Sequence, residues 1–252
     1  MFLTIGILLT GFVYLRGWLA IRRTRPAEFT LVRLSYFLCG LAALWLAIAS
    51  PLDDLADDLL SAHMVQHLLL LSVVPPLLLL GRPVIPLLRG LPAPLRFSAF
   101  HRVGRWLISP PVAWIAMNAI FVGWHVPAAF DFALNHEYWH RFEHVCFLAG
   151  SLAFWWCIVR PWPTGWGWLP YLVSADLVNT ALSAFLAFCD RPVYGYYVAL
   201  PSPFPISPLS DQVLGAVIMW VGGSFAFLIP ATLMTFQRIT GDSRPLVQSP
   251  PA

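Results

Sequence analysis

Long apolar runs alternate with short polar segments along the whole chain. A helix that crosses a bilayer needs roughly 20 mostly apolar residues, and seven runs of the sequence have that length. They lie at about 2–21, 29–49, 58–80, 108–130, 139–160, 168–189 and 212–236. The pattern therefore predicts an all-α, polytopic membrane protein in which residues 1–252 form a single domain of seven transmembrane helices.

The composition agrees with a membrane protein and excludes several other classes. Of the 252 residues, 59% are hydrophobic and only 11% are charged, a balance that a water-soluble domain of this length does not tolerate. The net charge of +3 is too small and too scattered to indicate a nucleic-acid partner. Four cysteines without paired spacing predict neither disulfides nor a thiolate metal site. The first apolar run lacks a basic leader, so we expect a retained span rather than a signal peptide.

The basic residues, all of them arginine, predict the orientation of the chain. Arginines follow the first, third, fifth and seventh runs, and cytoplasmic loops are enriched in basic residues. These arginines are Arg22, Arg23, Arg25, Arg82, Arg89, Arg96, Arg102, Arg105, Arg160, Arg238 and Arg244. The alternate loops are acidic or neutral apart from Arg191, and the acidic run at 53–58 is interpreted as a solvated helix cap. We therefore expect the N-terminus outside and the C-terminus in the cytoplasm.

With this orientation, six of the seven histidines lie towards the outer side. His63 and His67 begin the third run in SAHMVQH, and His140 and His144 begin the fifth in HRFEH. Residues four apart share one face of a helix, so each pair presents two imidazoles together. His125, in GWHVP near the outer exit of the fourth run, lies at a similar depth. The five side chains are therefore predicted to converge on one site.

Two methionines and an aspartate accompany these histidines. Met64 borders the face that carries His63 and His67. In DQVLGAVIMW, the residues Asp211, Gly215 and Met219 form one stripe of the seventh helix, and the glycine lets a neighbouring helix or an ion come close. A third helix therefore offers candidate ligands at the same depth.

The ligand types favour copper. Imidazole is the commonest protein metal ligand, and thioethers select soft ions, copper(I) above all. Histidine with methionine and no thiolate pair indicates copper more than zinc or iron. Iron stays open, because repeated H-x-x-x-H pairs with acidic partners can also hold two irons. Asp211, Glu143 and Gln212 are candidates either for ligands or for groups that orient the imidazoles.

Other polar residues have ordinary structural explanations. His136 is predicted to lie in a loop and His101 in the arginine-rich inner loop, so neither is placed in the site. Asp176, Asn179 and Ser183 line one face of the sixth helix. An acidic residue within the membrane is a functional candidate by default, and hydrogen bonding between helices explains this stripe equally well.

Several of these segments resemble one known family. SPLDDLADDLLSAHMVQHLLLLSVVPPLLLLGRP, WHVPAAFD, HRFEHVCFLAGSLAFWW and DQVLGAVIMW are similar to motifs of the multi-span CtaG family of cytochrome c oxidase assembly factors, and the similarity runs from about residue 45 to 235. It implies a seven-helix protein of the bacterial cytoplasmic (inner) membrane that supplies copper to the catalytic centre of the oxidase. The residues within the motifs are His63, His67, His125, His140, His144, Met64, Asp211 and Met219.

We therefore expect an assembly factor, not an enzyme, that binds copper(I) near the outer face and passes it to an oxidase subunit. An outer-side copper chaperone is a further expected partner. One alternative is a membrane oxidoreductase that holds haem or two irons in the same histidines, and another is a copper transporter. The sequence leaves open the number of metal sites, the oligomeric state and the oxidase that is served.

Overall fold

The computed structural model describes residues 2–92, 109–159, 165–200 and 203–241, which form helices and connecting segments without a strand. The helices are α1 Phe2–Arg22, α2 Leu31–Ile48, α3 Pro51–Asp58, α4 Leu60–Leu68, α5 Val74–Leu80, α6 Val84–Gly90, α7 Pro110–Trp124, α8 Pro127–Leu134, α9 Glu137–Val159, α10 Trp168–Phe188, α11 Gly195–Ala199 and α12 Pro208–Thr240. The all-α prediction is thus confirmed for the described part of the chain.

Among the residues that the structure describes, six helical segments are long and apolar enough to cross a membrane, and a bent pair raises the number to seven if it forms one span. The bent pair is α7 and α8, which meet at 74°. The sequence predicted one span at about 108–130, and the structure shows a helix that is broken within this segment. Pro127 disfavours a helical backbone at Val126, and α7 ends before this residue while Pro127 begins α8.

The third predicted span is continuous but changes its hydrogen bonding midway. Between α4 and α5, residues Leu69–Val73 form a π-helical turn, and Pro75 and Pro76 follow in the first turn of α5. A proline has no N–H to donate, so the regular helical ladder cannot continue through this point. The Nε1–H of Trp155 in α9 donates to the Leu71 carbonyl at 2.8 Å. The irregularity thus lies where a neighbouring helix satisfies an exposed carbonyl.

The helices place the histidines and several arginines at opposite ends of the bundle. α4 begins with the segment that carries His63, while α5, at the far end of the same span, leads to Arg82. Arg82 lies 3.9 Å from Glu28 in the connection between α1 and α2. We call these two regions the histidine end and the arginine end. Five predicted inner arginines, and His101, lie outside the described residues: Arg96, Arg102, Arg105, Arg160 and Arg244.

Close backbone contacts hold the bundle together on two sides. Gly17 of α1 lies against Pro86 and Gly90 of α6 so closely that a methyl group on either glycine would overlap the opposite backbone. Gly215 of α12 lies next to Ser61 of α4. The second contact confirms that Gly215 lets another helix approach, and it sets α12 beside the helix that carries His63.

Candidate metal centre

The imidazole rings of five histidines lie together at the histidine end. α4 supplies His63 and His67, the break after α7 supplies His125, and α9 supplies His140 and His144. Ring centroids are 4.2 Å apart for His63 and His67, 4.4 Å for His140 and His144, and 5.1 Å for His63 and His140. His67 lies 5.6 Å from His125 and 5.9 Å from His144. We call these five rings the histidine cluster, and the structure brings together every histidine that the spacing had grouped.

Asp211 fixes the beginning of α4. Its two carboxylate oxygens accept hydrogen bonds from the backbone N–H of Leu60, at 2.6 Å, and of Ser61, at 3.2 Å. These amides belong to the first turn of α4, which has no side-chain cap of its own, and a negative charge at a helix N-terminus is favourable. Both oxygens of Asp211 are thus engaged with backbone amides. The sequence left Asp211 open as a ligand or as an orienting group, and these backbone contacts are of the orienting kind.

The break between α7 and α8 fixes the tautomer of His125. Its Nδ1 lies 2.7 Å from the carbonyl oxygen of Phe121, and a carbonyl can only accept, so Nδ1 carries the proton. Nε2 is therefore left with a lone pair, the form in which a neutral imidazole binds a metal. The Tyr194 hydroxyl holds the same segment by donating to the His125 carbonyl at 3.2 Å.

Glu143 adds a carboxylate to the histidine cluster. The side chain is 1% exposed, and one oxygen lies 3.5 Å from Nε2 of His67. Ligand atoms of Glu143, His63 and His140 lie within 4.8 Å of one another. Glu143 Oε1 and His67 Nε2 are close enough for an ion pair. They do not form a hydrogen bond, and neither atom has a hydrogen-bond partner among the described residues. Three side chains could therefore close around one ion after small rotations.

The histidine cluster and Glu143 contain most of the buried polar side-chain atoms that lack a hydrogen-bond partner within the described segments. These atoms are His63 Nδ1 and Nε2, His67 Nδ1 and Nε2, His125 Nε2, His140 Nε2, His144 Nε2 and Glu143 Oε1. Leaving a buried polar group unpaired costs roughly 1–3 kcal/mol, and native proteins contain few such groups. A concentration of them at one place fits a bound ion, because a metal would use the same lone pairs.

Access to the histidine cluster is from the histidine end. His140 is partly exposed, whereas His63 and His67 are fully buried. The acidic helix α3 lies on the same side, and its Asp53 accepts from the Gln66 amide at 2.6 Å. Partial burial raises the pKa of Asp53 and Asp57, and the neighbouring acidic residues raise that of Asp57 further. The acidic helix α3 and the partly exposed His140 thus lie at the same end of the bundle.

The two methionines of the sequence prediction belong to one buried cluster. Met64 is fully buried and packs towards Gly215 of α12. Met219 is 3% exposed and lines a small cavity below His67. Met117 of α7 lines the same cavity, and the sequence interpretation missed it because Met117 and Met219 meet only through the packing of two distant helices.

The remaining polar candidates have local structural roles. Gln212 accepts from the Val193 N–H and donates to the Leu186 carbonyl, so it ties the segment after α10 to α12. Asp176 accepts from the Ser224 hydroxyl at 2.8 Å. His136 is exposed, and its Nδ1 bonds to the Phe132 carbonyl. None of these three side chains belongs to the histidine cluster.

Comparison with known proteins places the chain in a family. The chain is 28% identical over 226 residues to an uncharacterised protein of Mycobacterium bovis and equally to one of Mycobacterium tuberculosis, which covers 82% of this chain and 34% of each relative. An uncharacterised protein of Mycobacterium leprae is 25% identical over 94% of this chain and 38% of its own length. The chain thus spans about a third of these relatives. No solved structure matches significantly.

The family profile covers almost the whole bundle. The profile described as cytochrome c oxidase caa3 assembly factor, Caa3_CtaG, matches residues 12–240. The match includes all five members of the histidine cluster and Glu143. The resemblance seen in the sequence motifs is confirmed, and this chain belongs to the caa3-type cytochrome c oxidase assembly factor family.

Proposed function

We propose that this assembly factor binds copper(I) in the histidine cluster and delivers it to a cytochrome c oxidase subunit. The observation that carries the proposal is the concentration of unpartnered buried nitrogen atoms on five converging histidines. In this proposal copper is cargo, and the chain catalyses no reaction. Delivery occurs by exchange of imidazole ligands for ligands of the oxidase subunit, and an outer-side chaperone is a candidate source of the metal.

The properties of the ligands support copper(I). The site is rich in imidazole. Neutral imidazole ligands suit a monovalent ion, because the ion and its ligands together carry little net charge to bury. The fixed tautomer of His125 presents one lone pair without further rearrangement. A carboxylate at Glu143 can balance the charge of the ion.

The orientation of the proposed handoff follows from the positive-inside rule. Arginines are concentrated at the arginine end, so the histidine end is proposed to face the outside. Copper would enter past α3 and the partly exposed His140, and it would leave by the same end. We place the protein in the bacterial cytoplasmic membrane on this basis.

Iron is the second candidate, and Glu143 is the observation that favours it. The sequence interpretation left open a di-iron oxidoreductase, and a carboxylate beside two histidines is a ligand set that iron also accepts. Haem is less well supported, because the cavity that His67 lines has a volume of about 20 Å³, far too small for a porphyrin. Metal analysis separates the two ions directly.

The test is the metal content and copper(I) affinity of detergent-purified protein. We would compare wild type with His63→Ala/His67→Ala and with His140→Ala/His144→Ala. His136→Ala is the matched control, because His136 is exposed and lies outside the histidine cluster. Copper is measured by mass spectrometry and by competition with a chromogenic copper(I) chelator.

The expected result is copper in wild type and His136→Ala and its loss from both double variants. Cells that carry either double variant should also lose oxidase activity, with restoration by added copper as a supporting result. Iron in the wild-type protein that survives the double substitutions would overturn the proposal. Equal copper in all four proteins would overturn it as well.

A further inference from the structure

A small cavity lies directly below the histidine cluster, inside the bundle. Its walls come from α4, the π-helical turn, α7, α10 and α12. Its volume is about 20 Å³, and a cavity of about 10–15 Å³ is enough for one water molecule. The cavity therefore has room for a single small ion or water molecule and for no larger ligand.

The cavity is lined by two thioethers and one unpartnered imidazole. Met117 comes from α7 and is 4% exposed, Met219 comes from α12 and is 3% exposed, and His67 comes from α4. Both ring nitrogens of His67 lack a hydrogen-bond partner. Nε2 lies 3.5 Å from Glu143, which leaves Nδ1 as the second unpartnered nitrogen of the ring among the described residues. Three helices thus bring one imidazole and two thioether side chains to the lining of one small space.

The other lining groups define what kind of ion fits. The described lining contains no charged side chain, and its polar members are Ser72, Asn118 and Asn179. A hard divalent cation such as Ca²⁺ or Mg²⁺ needs six or more oxygen ligands and keeps several of its waters, which this volume does not admit. A soft monovalent ion sheds its water readily and prefers thioether ligands. The ligand set and the size both select copper(I) or its surrogate silver(I).

We propose that His67, Met117 and Met219 form a second copper(I) site below the histidine cluster. The proposal rests on the proposed function and adds a sulfur-ligated position to it. His67 belongs to both sites, so an ion can move from the imidazole ligands to the thioether ligands without leaving the protein. The thioethers would hold copper in its monovalent state, in which transfer to an apo-subunit proceeds by ligand exchange.

The chain provides a matched control methionine for the test. Met234 lies on the same helix as Met219, is partly buried and does not line the cavity. Leucine is close to methionine in volume and is usually tolerated in its place. The variants Met117→Leu/Met219→Leu and Met234→Leu therefore differ in whether they remove sulfur from the cavity.

The first experiment follows the methyl signals of the methionines by NMR. Full-length protein carrying ¹³C-methyl methionine, in detergent micelles, is titrated with silver(I), and each signal is assigned from the single Met→Leu variant. We expect the Met117 and Met219 signals to shift together while the Met234 signal stays in place. A shift of Met234 without shifts of Met117 and Met219 would overturn the proposal.

The second experiment counts copper(I) and identifies its ligands. X-ray absorption at the copper edge should detect sulfur neighbours in wild type and in the Met234→Leu control, and the Met117→Leu/Met219→Leu protein should lose them together with part of its bound copper. Wild-type protein that binds copper with nitrogen neighbours only would overturn the second site but leave the proposed function standing. A wild-type protein that binds no copper would overturn both.

Discussion

The histidine cluster and the aromatic layer next to it are both largely buried but satisfy their polar atoms differently. The aromatic layer consists of Phe154, Trp155, Tyr171 and Phe227. The Tyr171 hydroxyl donates to the Phe154 carbonyl at 3.2 Å, and the Trp155 indole donates to Leu71 at 2.8 Å. In the histidine cluster, by contrast, most ring nitrogens have no hydrogen-bond partner within the described segments. A sequence that can satisfy buried polar atoms in one layer leaves them unsatisfied in the next.

Under the proposed function, this difference separates residues that stabilise the fold from residues that bind the ion. Rings of the aromatic layer pack closely, with Phe154 stacked on Tyr171 at 4.5 Å, and their polar atoms complete hydrogen bonds that a bilayer cannot supply. The unpartnered imidazoles destabilise the metal-free protein, and an ion would remove that cost by taking the lone pairs. The two regions should therefore respond in opposite ways to substitution.

The largest loss of stability is expected in the aromatic layer. In the cores of soluble proteins, replacing phenylalanine with alanine costs roughly 3–5 kcal/mol. Phe154→Ala should lower the free energy of unfolding by an amount at the low end of this range, because within a membrane the substitution loses mainly packing contacts. Thermal unfolding in detergent measures the loss. The fraction of Phe154→Ala protein that remains folded should bind as much copper as wild type. A fully folded variant that binds less copper would contradict the view that the aromatic layer and the histidine cluster have separate roles.

A smaller loss is expected where α1 meets α6. Gly17→Ala would place a methyl group against the Pro86 carbonyl and separate the helices, at a cost of about 1–3 kcal/mol. Gly6→Ala on the same helix is the matched control, because a methyl group there meets nothing within 4 Å. The melting temperatures of the two variants give the comparison. Equal melting temperatures would show that the close contact of α1 with α6 does not stabilise the bundle.

A still smaller loss of stability is expected where Asp211 caps α4. Asp211→Asn keeps one acceptor oxygen but loses the second acceptor and the negative charge. The substitution should therefore lower the free energy of unfolding by roughly 1–2 kcal/mol. Copper affinity should fall by no more than about 10–100-fold, the range for a group that orients ligands. The nitrogen and sulfur neighbours of copper in X-ray absorption should not change. A change in those neighbours would make Asp211 a ligand after all.

The smallest effect is expected on the acidic helix α3. Because the pKa of Asp57 is raised in the folded protein, its carboxylate opposes folding above the ordinary carboxyl pKa of about 4, and this penalty disappears as the pH falls below that value. Asp57→Asn should thus raise the melting temperature slightly at pH 7, and the gain in the free energy of unfolding should be no more than about 0.5 kcal/mol. The gain should vanish at low pH, and a gain that persists there would contradict this cause.

Periodicity within one helix predicted most of the histidine cluster. His63 with His67, and His140 with His144, follow from a spacing of four residues, and their helices form where the apolar runs lie. The break beside His125 was not predicted, although Pro127 was a local signal for it. Apolarity alone does not distinguish a continuous span from two short helices, so the run at 108–130 was taken as one helix.

Contacts between distant helices could not be predicted from the sequence. Asp211 caps α4 across 150 residues of chain, and Met117 lines a cavity with Met219 only because α7 and α12 pack side by side there. Glu143 lies three residues after His140 on one helix, a spacing that brings the two side chains together, but nothing in the sequence indicated that its carboxylate lies beside His63. Tertiary packing decides each of these cases, and no pattern within one helix reports it.

The most direct test of the central claim is thermal unfolding of wild type and His63→Leu, each with and without copper(I). His63 is fully buried with two unpartnered nitrogens, so replacing it with leucine removes an unsatisfied group. We predict that metal-free His63→Leu is at least as stable as metal-free wild type. Copper at about 100 times its dissociation constant should stabilise wild type by roughly 2.7 kcal/mol and the variant much less. A less stable metal-free variant, with no stabilisation of wild type by copper, would contradict the account and make the cluster a packing feature.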